Sequence, residues 1–395
     1  MDTSKFKTKT EIIFRNNGST NKAFGIALDV GYSAVKLFGP SIIARFPSYA
    51  KRISKDFSFL TSVDESTIIY TDNVTGDRWL VGEAAQEQIK VSDTSDSEAA
   101  LYGRERYGTP MFRVIARCGM GLAMINDEFK NTFADSGKEL TVQTGLPEKY
   151  LGMDKEWFVD SLSGEHNFTL QVGNNTVNFS FNLSPKNVFV MSQPKGTLFS
   201  VCTERNGSWY KDAMKYMKSS VLVFDPGFGT LDIFPINNGA VTGTGETFPE
   251  LGMKRVMQET VSRIKEEYGL EISVPAMQKY LATGVYKYVD RRTLKPKIVD
   301  FSDILKECNE KVCNEAIERM LDVFDLNDYQ YLIITGGTGA AWLSLIRERF
   351  EAAIEENVIT IINGNQNDVL SFVYSNVRGY YNYLYRRLAK QYGRA

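Results

Sequence analysis

The chain has 395 residues, 43% of them hydrophobic and 24% charged, with a formal net charge of −2. That length exceeds the usual single-domain size, so two core-bearing lobes are expected, and the near-neutral charge argues against bulk electrostatic attraction to nucleic acid. No run of about 18 apolar residues occurs and residues 1–10 lack the apolar core of a secretion signal, so no membrane span is expected and a cytoplasmic location follows.

Residues 1–21 are polar and basic, end in the linker-like Asn16-Asn17-Gly18-Ser19-Thr20-Asn21, and read as a mobile N-terminal arm. A first lobe is expected over residues 22–219. It opens on an apolar strand, 24–28, which meets Asp29, turns through Gly31, Tyr32 and Ser33, and resumes as a strand carrying Lys36. This pattern reads as a β-hairpin whose turn offers backbone N–H groups to an anion. A second strand pair surrounds the turn at 71–77, and helical segments follow. The strand 140–146 stops at Pro147, as sheet strands commonly do, and Glu148 after it reads as an exposed carboxylate. The single histidine, His166, precedes another hairpin, 168–179, and reads as a surface residue. A Ser-His-Asp or Cys-His enzyme is therefore not expected.

A second lobe, expected over 220–363, repeats the opening motif. The apolar run 221–224 meets Asp225, turns through Gly227, Phe228, Gly229 and Thr230, and resumes as a strand carrying Asp232. Thr230 and Asp232 share one side of that strand, and a carboxylate buried there needs a partner. Beyond the glycine-rich 242–246, Glu250 and Lys254 open a helix. Apolar residues from Leu305 to Phe324 recur at helical spacing and bury Cys308; the four cysteines show no C-x-x-C spacing, so neither zinc nor a redox pair is supported. A buried strand at 332–335 runs into Gly336, Gly337, Thr338 and Gly339 before a helix at 341–346. Glycines there let a flat purine ring lie against the backbone near a helix N-terminus. The closing segment 364–395 is expected to return to the first lobe, its helix at 372–387 mixing tyrosines with arginines. At helical spacing that mixture reads as a packed aromatic face opposite a basic one rather than as a stack for single-stranded nucleic acid.

The residue types of the two hairpins suit one chemistry. A strand-end Asp can hold a hydrated divalent cation, Gly admits phosphate oxygens close to the backbone, and Ser or Thr donates a further hydrogen bond. One such turn is an ordinary tight turn, whereas two facing each other grip a polyphosphate from both sides. Asp29 and Asp225 are then the candidate magnesium ligands, mainly through water. Lys36 is either a phosphate contact or a solvated strand lysine, and Asp232 a contact to water or to the metal shell.

In the order phosphate hairpin, phosphate hairpin, adenosine glycines, the chain resembles the actin-like ATPase superfamily, and within it the bacterial plasmid-segregating actins of the ParM type, over roughly residues 22–390. The resemblance implies an α/β, actin-like (ribonuclease-H-like duplicated), two-lobed ATPase fold with a central cleft for magnesium and ATP, or GTP. It places Gln193, at the end of the segment 188–194, where the family carries the residue that orients the attacking water. ParM-type proteins have Glu there and actins Gln, which can align water by donating and accepting hydrogen bonds. It also places Glu250 and Lys254 where base or ribose contacts are made. A self-associating filament is implied, moving plasmid DNA through a separate DNA-binding adaptor, with no direct nucleic-acid or membrane contact. Two alternatives stand beside it. A small-molecule kinase of the same superfamily usually has an Asp base where this chain has Gln193, and a non-polymerising ATPase scaffold would need a peptide-binding domain.

Overall fold

The computed structural model describes residues 2–16, 22–60, 63–89, 103–243, 245–290 and 292–393. The strands of the first lobe are, in chain order, β1 (Glu11–Phe14), β2 (Ala23–Val30), β3 (Ala34–Phe38), β4 (Ile42–Pro47), β5 (Ala50–Ile53), β6 (Ile68–Asp72), β7 (Arg78–Val81), β8 (Glu139–Leu146), β9 (Gly164–Val172), β10 (Asn175–Leu183) and β11 (Val188–Ser192). One sheet has the order β1-β4-β3-β2-β8-β11, and a smaller one the order β10-β9-β6-β7-β5. The second lobe holds β12 (Ser220–Pro226), β13 (Leu231–Asn237), β14 (Ala240–Val241), β15 (Glu246–Phe248), β16 (Val285–Val289), β17 (Pro296–Asp300), β18 (Tyr331–Ile334) and β19 (Thr360–Asn363). Its main sheet runs β14-β13-β12-β18-β19, with β15 also pairing to β13.

The two main sheets share one plan. In each, an antiparallel meander (β2-β3-β4; β12-β13-β14) continues through two parallel strands (β8 and β11; β18 and β19) beside the meander's first strand. The order is thus the same in both, and the fold is a duplicated α/β unit. Central strands are near-continuous apolar runs because both faces are covered: β18 is buried along its whole length, as are nearly all positions of β2. Both hairpins expected at residues 71–77 and 168–179 form, as β6-β7 and β9-β10.

The C-terminal helix Ser375–Tyr392 lies on the first lobe. Tyr380, Tyr381 and Val377 pack with Ala27, Phe38 and Ile43, and Leu384 and Leu388 with Ala23. Its closest neighbour is the helix Gln193–Val201. A Cβ on Gly379 would sit 1.8 Å from the Gly196 carbonyl oxygen, so only glycine permits this backbone approach. Arg378 fixes the crossing from a fully buried position, pairing with Asp368 at 2.9 Å and donating to the carbonyls of Ser200 and Thr203. The tyrosine-rich face is therefore packing surface. No helix among the described residues is long and apolar enough to cross a membrane.

Four expectations need correction. The opening segment is not a free arm. Thr3–Phe6 form a single helical turn capped by Asp2, Thr3 Oγ1 donates to the Leu281 carbonyl in the second lobe at 2.7 Å, and Phe6 is buried. Lys7 then pairs with Glu83 at 3.1 Å, and β1 joins the first sheet beside β4. Residues 2–14 so run from one lobe to the other, while 17–21 lie outside the described residues. The helix expected from residue 341 begins at Gly336, so the glycines are its first turn. Glu148 is half-buried as the first residue of the helix Glu148–Leu162, with Oε2 shielded from solvent.

His166, expected at the surface, is buried and stacked on Phe181 at 4.7 Å. It lies on β9 in step with the buried Phe168, Leu170 and Val172, so period-two alternation turns it inward. Its Nδ1 accepts from Arg117 Nε at 3.2 Å, which leaves Nε2 to donate to the Leu162 carbonyl at 3.0 Å. Burial, reinforced by Arg117, pushes its pKa down to about 4.

Two outcomes follow. Phe6→Ala should lower unfolding free energy by about 3 kcal/mol and speed tryptic cleavage at Lys5, Lys7 and Lys9, read by urea titration and limited proteolysis. Because unfolded His166 takes up a proton near pH 6.5 and the folded one only near pH 4, stability is lost as pH falls through that window. The loss is ~3 kcal/mol. Urea titrations at stepped pH should show this slope in wild type and its absence in His166→Gln.

Candidate active site

The duplicated hairpins are built alike. In the first, Gly31 N donates to the Ala34 carbonyl at 3.0 Å; in the second, Gly227 N donates to the Thr230 carbonyl at 2.8 Å. Asp29 stands directly across from Lys36 in the β2-β3 register, and Asp225 directly across from Asp232 in the β12-β13 register. The tips of the hairpins meet, with the Tyr32 ring packed on Gly229, where a Cβ would lie 3.1 Å from Tyr32 Cδ2.

Between the lobes the hairpins border one cavity of about 380 Å³. Its wall includes Asp29, Gly31, Tyr32, Ser33 and Lys36 from the first hairpin, and Asp225, Gly227, Phe228, Thr230 and Asp232 from the second. Gln193, at the start of its helix beyond β11, and Gly336, Gly337 and Thr338 also line it, whereas the expected Gly229, packed against Tyr32, does not. Glu250 and Lys254 are not part of the wall. The helix starts only at Met253, so Glu250 falls in the preceding turn with its side chain 83% exposed, near Arg255 at 3.9 Å. Met253 occupies the wall in their place, and Lys254 N donates to the Phe228 carbonyl, bracing the second turn from behind.

The electrostatics of the equivalent pairs differ. Lys36 Nζ lies 2.8 Å from Asp29 Oδ2 and both side chains are largely buried, so Lys36 is no solvated strand lysine. In the second hairpin two carboxylates face each other. Burial raises the Asp225 pKa to about 6, against a hydrogen bond from Asn376 and the charge of Lys36. Burial and the neighbouring Asp225 raise that of Asp232 to about 7. Thr230 Oγ1 donates to Asp232 Oδ2 at 2.9 Å, and the hydroxyl of Thr247, directly across the β13-β15 register, is a second side-chain donor to this carboxylate. Two opposed, buried carboxylates suit a hard cation. No group of three or more His, Cys, Asp or Glu converges among the described residues, so the donor set fits magnesium that keeps most of its waters.

Beside the second hairpin, the helix Gly336–Arg349 presents its N-terminal amides towards the cavity. Thr338 Oγ1 donates to the Gly227 carbonyl at 2.7 Å and ties this helix to the second hairpin. Gly336 has φ of +78°, and a Cβ there would stand 2.5 Å from Asp225 Oδ1, so both its conformation and its neighbour demand glycine.

Sequence reasoning missed Arg106 and Asn376. Arg106, buried in the turn Arg104–Gly108, donates to the carbonyls of Val30 and Gly31 and lies 4.3 Å over the Tyr32 ring. It thereby holds the carbonyl side of the first turn. Asn376 Nδ2 donates to Asp225 Oδ2 at 2.9 Å. Lys5, Phe6, Lys7 and Thr8 of the opening segment also border the cavity.

Residues 27–196 match the family model for the N-terminal domain of actin-like proteins. Among solved structures, a non-polymerisable quadruple mutant of pCBH ParM superposes with a TM-score of 0.68 at 19% identity, over 92% of this chain and 100% of that one. This chain has the actin-like fold. A 15-stranded ParM filament from Clostridium botulinum gives 0.66 at 19% identity, covering 93% and 99%. An archaeal actin homologue in complex with ADP gives 0.58 at 16% identity, covering 92% and 99%. No curated protein matches the chain in sequence. In the actin-like frame both duplicated sheets are accounted for, and the cavity lies between them.

Gly336→Ala should be destabilised by about 1–2 kcal/mol through its left-handed backbone. Its methyl, forced against Asp225, should weaken magnesium-dependent nucleotide binding roughly tenfold or more, read by titration calorimetry.

Proposed function

We propose that this actin-like chain is a magnesium-dependent ATPase whose nucleotide state controls its own polymerisation, and that the filament segregates plasmid DNA in the cytoplasm through a DNA-binding adaptor. The observation that carries the reading is the pair of equivalent acidic hairpins closing on one cavity, with a helix N-terminus beside the second of them. The ADP bound to the archaeal relative and the filament built by the Clostridium botulinum ParM support the nucleotide and the polymer respectively.

Each residue has a task in that reading. The amides of the turns at Gly31, Tyr32, Ser33 and at Gly227, Phe228, Gly229, Thr230 cradle the phosphates, with Lys36 supplying positive charge. Asp29 and Asp225 hold magnesium, mainly through water. Magnesium, when bound, neutralises phosphate charge and brings the buried carboxylates back to their ionised form. Gln193 orients the water for attack by accepting one of its protons in a hydrogen bond. Gly336, Gly337 and Thr338 take the adenosine. Residues 22–219 with 364–395 form one closing body and residues 220–363 the other, and closure around ATP makes the surface that joins subunits head to tail.

Ninety-degree light scattering with magnesium and ATP, run beside phosphate release, tests the proposal. Scattering should rise on ATP addition and decay as phosphate appears. Gln193→Ala should keep the rise and slow phosphate release by roughly 100-fold, whereas Asp225→Ala should abolish release. Turnover that requires an added sugar, with no change in scattering, would instead establish a small-molecule kinase.

A further inference from the structure

The C-terminal helix contributes more to the site than packing. Asn376 is 6% exposed, and its amide bridges strand β12 and the helix Gln193–Val201. Nδ2 donates to Asp225 Oδ2 at 2.9 Å, and Oδ1 accepts from Thr197 Oγ1. The orientation of the amide is chemically fixed. An ionised carboxylate only accepts, so the NH2 group must face Asp225, and the hydroxyl of Thr197, itself wholly buried, then donates to the amide oxygen. Thr197 lies four positions beyond Gln193 on the helix Gln193–Val201, hence on the same face one turn away. A continuous hydrogen-bonded path therefore runs from the Asp225 carboxylate on β12 to the helix that presents Gln193.

One turn along the C-terminal helix from Asn376 stands Tyr380. Its hydroxyl is buried, has no hydrogen-bond partner among the described residues, and would lie 2.0 Å from a Cβ on Gly145, a residue of the cavity wall. The same helix face thus brings two polar side chains beneath the acidic end of the cavity, where an apolar face would serve packing equally well. Helix position is held by the Gly379–Gly196 contact and the buried Arg378–Asp368 pair, so the relay has a rigid mount.

We propose that Asn376 is a positioning residue: oriented by Thr197, it fixes the Asp225 carboxylate for the hydrated cation and couples that carboxylate to the helix bearing Gln193. This rests on the magnesium-nucleotide reading of the cleft. One Oδ2 lone pair of Asp225 is committed to Asn376, so the carboxylate cannot rotate freely and Oδ1 is left for a metal-bound water. Loss of such outer partners weakens metal binding by roughly 10–100-fold in metal sites generally.

The test compares nucleotide affinity with magnesium and with EDTA by titration calorimetry, for wild type, Asn376→Ala and Thr197→Val, each first shown to be folded by circular dichroism. Wild type should bind more tightly with magnesium. In Asn376→Ala that magnesium advantage should shrink about tenfold or more, while metal-free affinity stays within about twofold. Thr197→Val leaves Asn376 and Asp225 in place and removes only the orienting donor, and its magnesium advantage should fall in the same direction. A purely structural role would lower the melting temperature and leave the ratio of the two affinities unchanged in both variants, which overturns the proposal. Wild type that binds nucleotide equally well in magnesium and EDTA overturns the reading of the cleft together with it, so the two failures are distinguishable.

Discussion

Two buried carboxylates held opposite each other at the base of one hairpin set the terms for everything around them. Asp225 and Asp232 are cross-strand neighbours, both desolvated, and the charge of Asp225 makes Asp232 harder still to ionise. The duplicated hairpin solves the same geometry differently, because the position equivalent to Asp232 is Lys36, which neutralises Asp29 directly. The cleft is therefore asymmetric in charge although symmetric in backbone. One wall is internally paired and the other is not; in the proposed reading a hydrated metal carrying a polyphosphate would balance that second wall while the turn amides meet the anion. Fold duplication thus yields two backbone-similar hairpins, and Lys36 against Asp232 at one equivalent position sets their difference in charge.

Such a pair is sustained only by a scaffold that prevents the strands from slipping or the lobes from parting. Register is enforced beside the first strand of each hairpin by a buried parallel strand and beside the second by an antiparallel one, and a slip of one residue would turn every side chain to the opposite face. Across the cleft, contacts come from the chain's two ends. The opening segment hydrogen-bonds to Leu281 in one lobe and joins β4 in the other, and the C-terminal helix reaches Asp225 from the first lobe. Arg106 adds a brace behind the first turn. Each of these ties is polar and directional, so they specify one arrangement of the lobes more than they add bulk stability.

The hairpins were legible because everything that defines them is local: an apolar run, an Asp, a glycine turn and a hydroxyl fall within a few residues, and strand alternation then dictates which side chains share a face. The order of three such motifs carried the fold. What escaped depends on pairing between distant segments. Arg106 acts on Val30 and Asn376 on Asp225, separations of 76 and 151 residues that no local pattern encodes. The helix expected to open at Glu250 starts at Met253, because a helix start is uncertain by about a turn when no capping side chain marks it, and here Gly252 caps without one. The opening segment looked like a linker by composition, yet one phenylalanine and one strand's worth of β-pairing were enough to dock it. His166 was readable in principle, since the inward rhythm of β9 already included its position.

Structure determination with magnesium and a non-hydrolysable ATP analogue tests the central claim most directly. Phosphate oxygens should lie about 2.7–3.2 Å from backbone nitrogens of both turns, at Gly31–Ser33 and at Gly227–Thr230, with the metal's water shell between Asp29 and Asp225. A nucleotide whose phosphates contact only one hairpin, or which lies outside this cavity, would contradict the account.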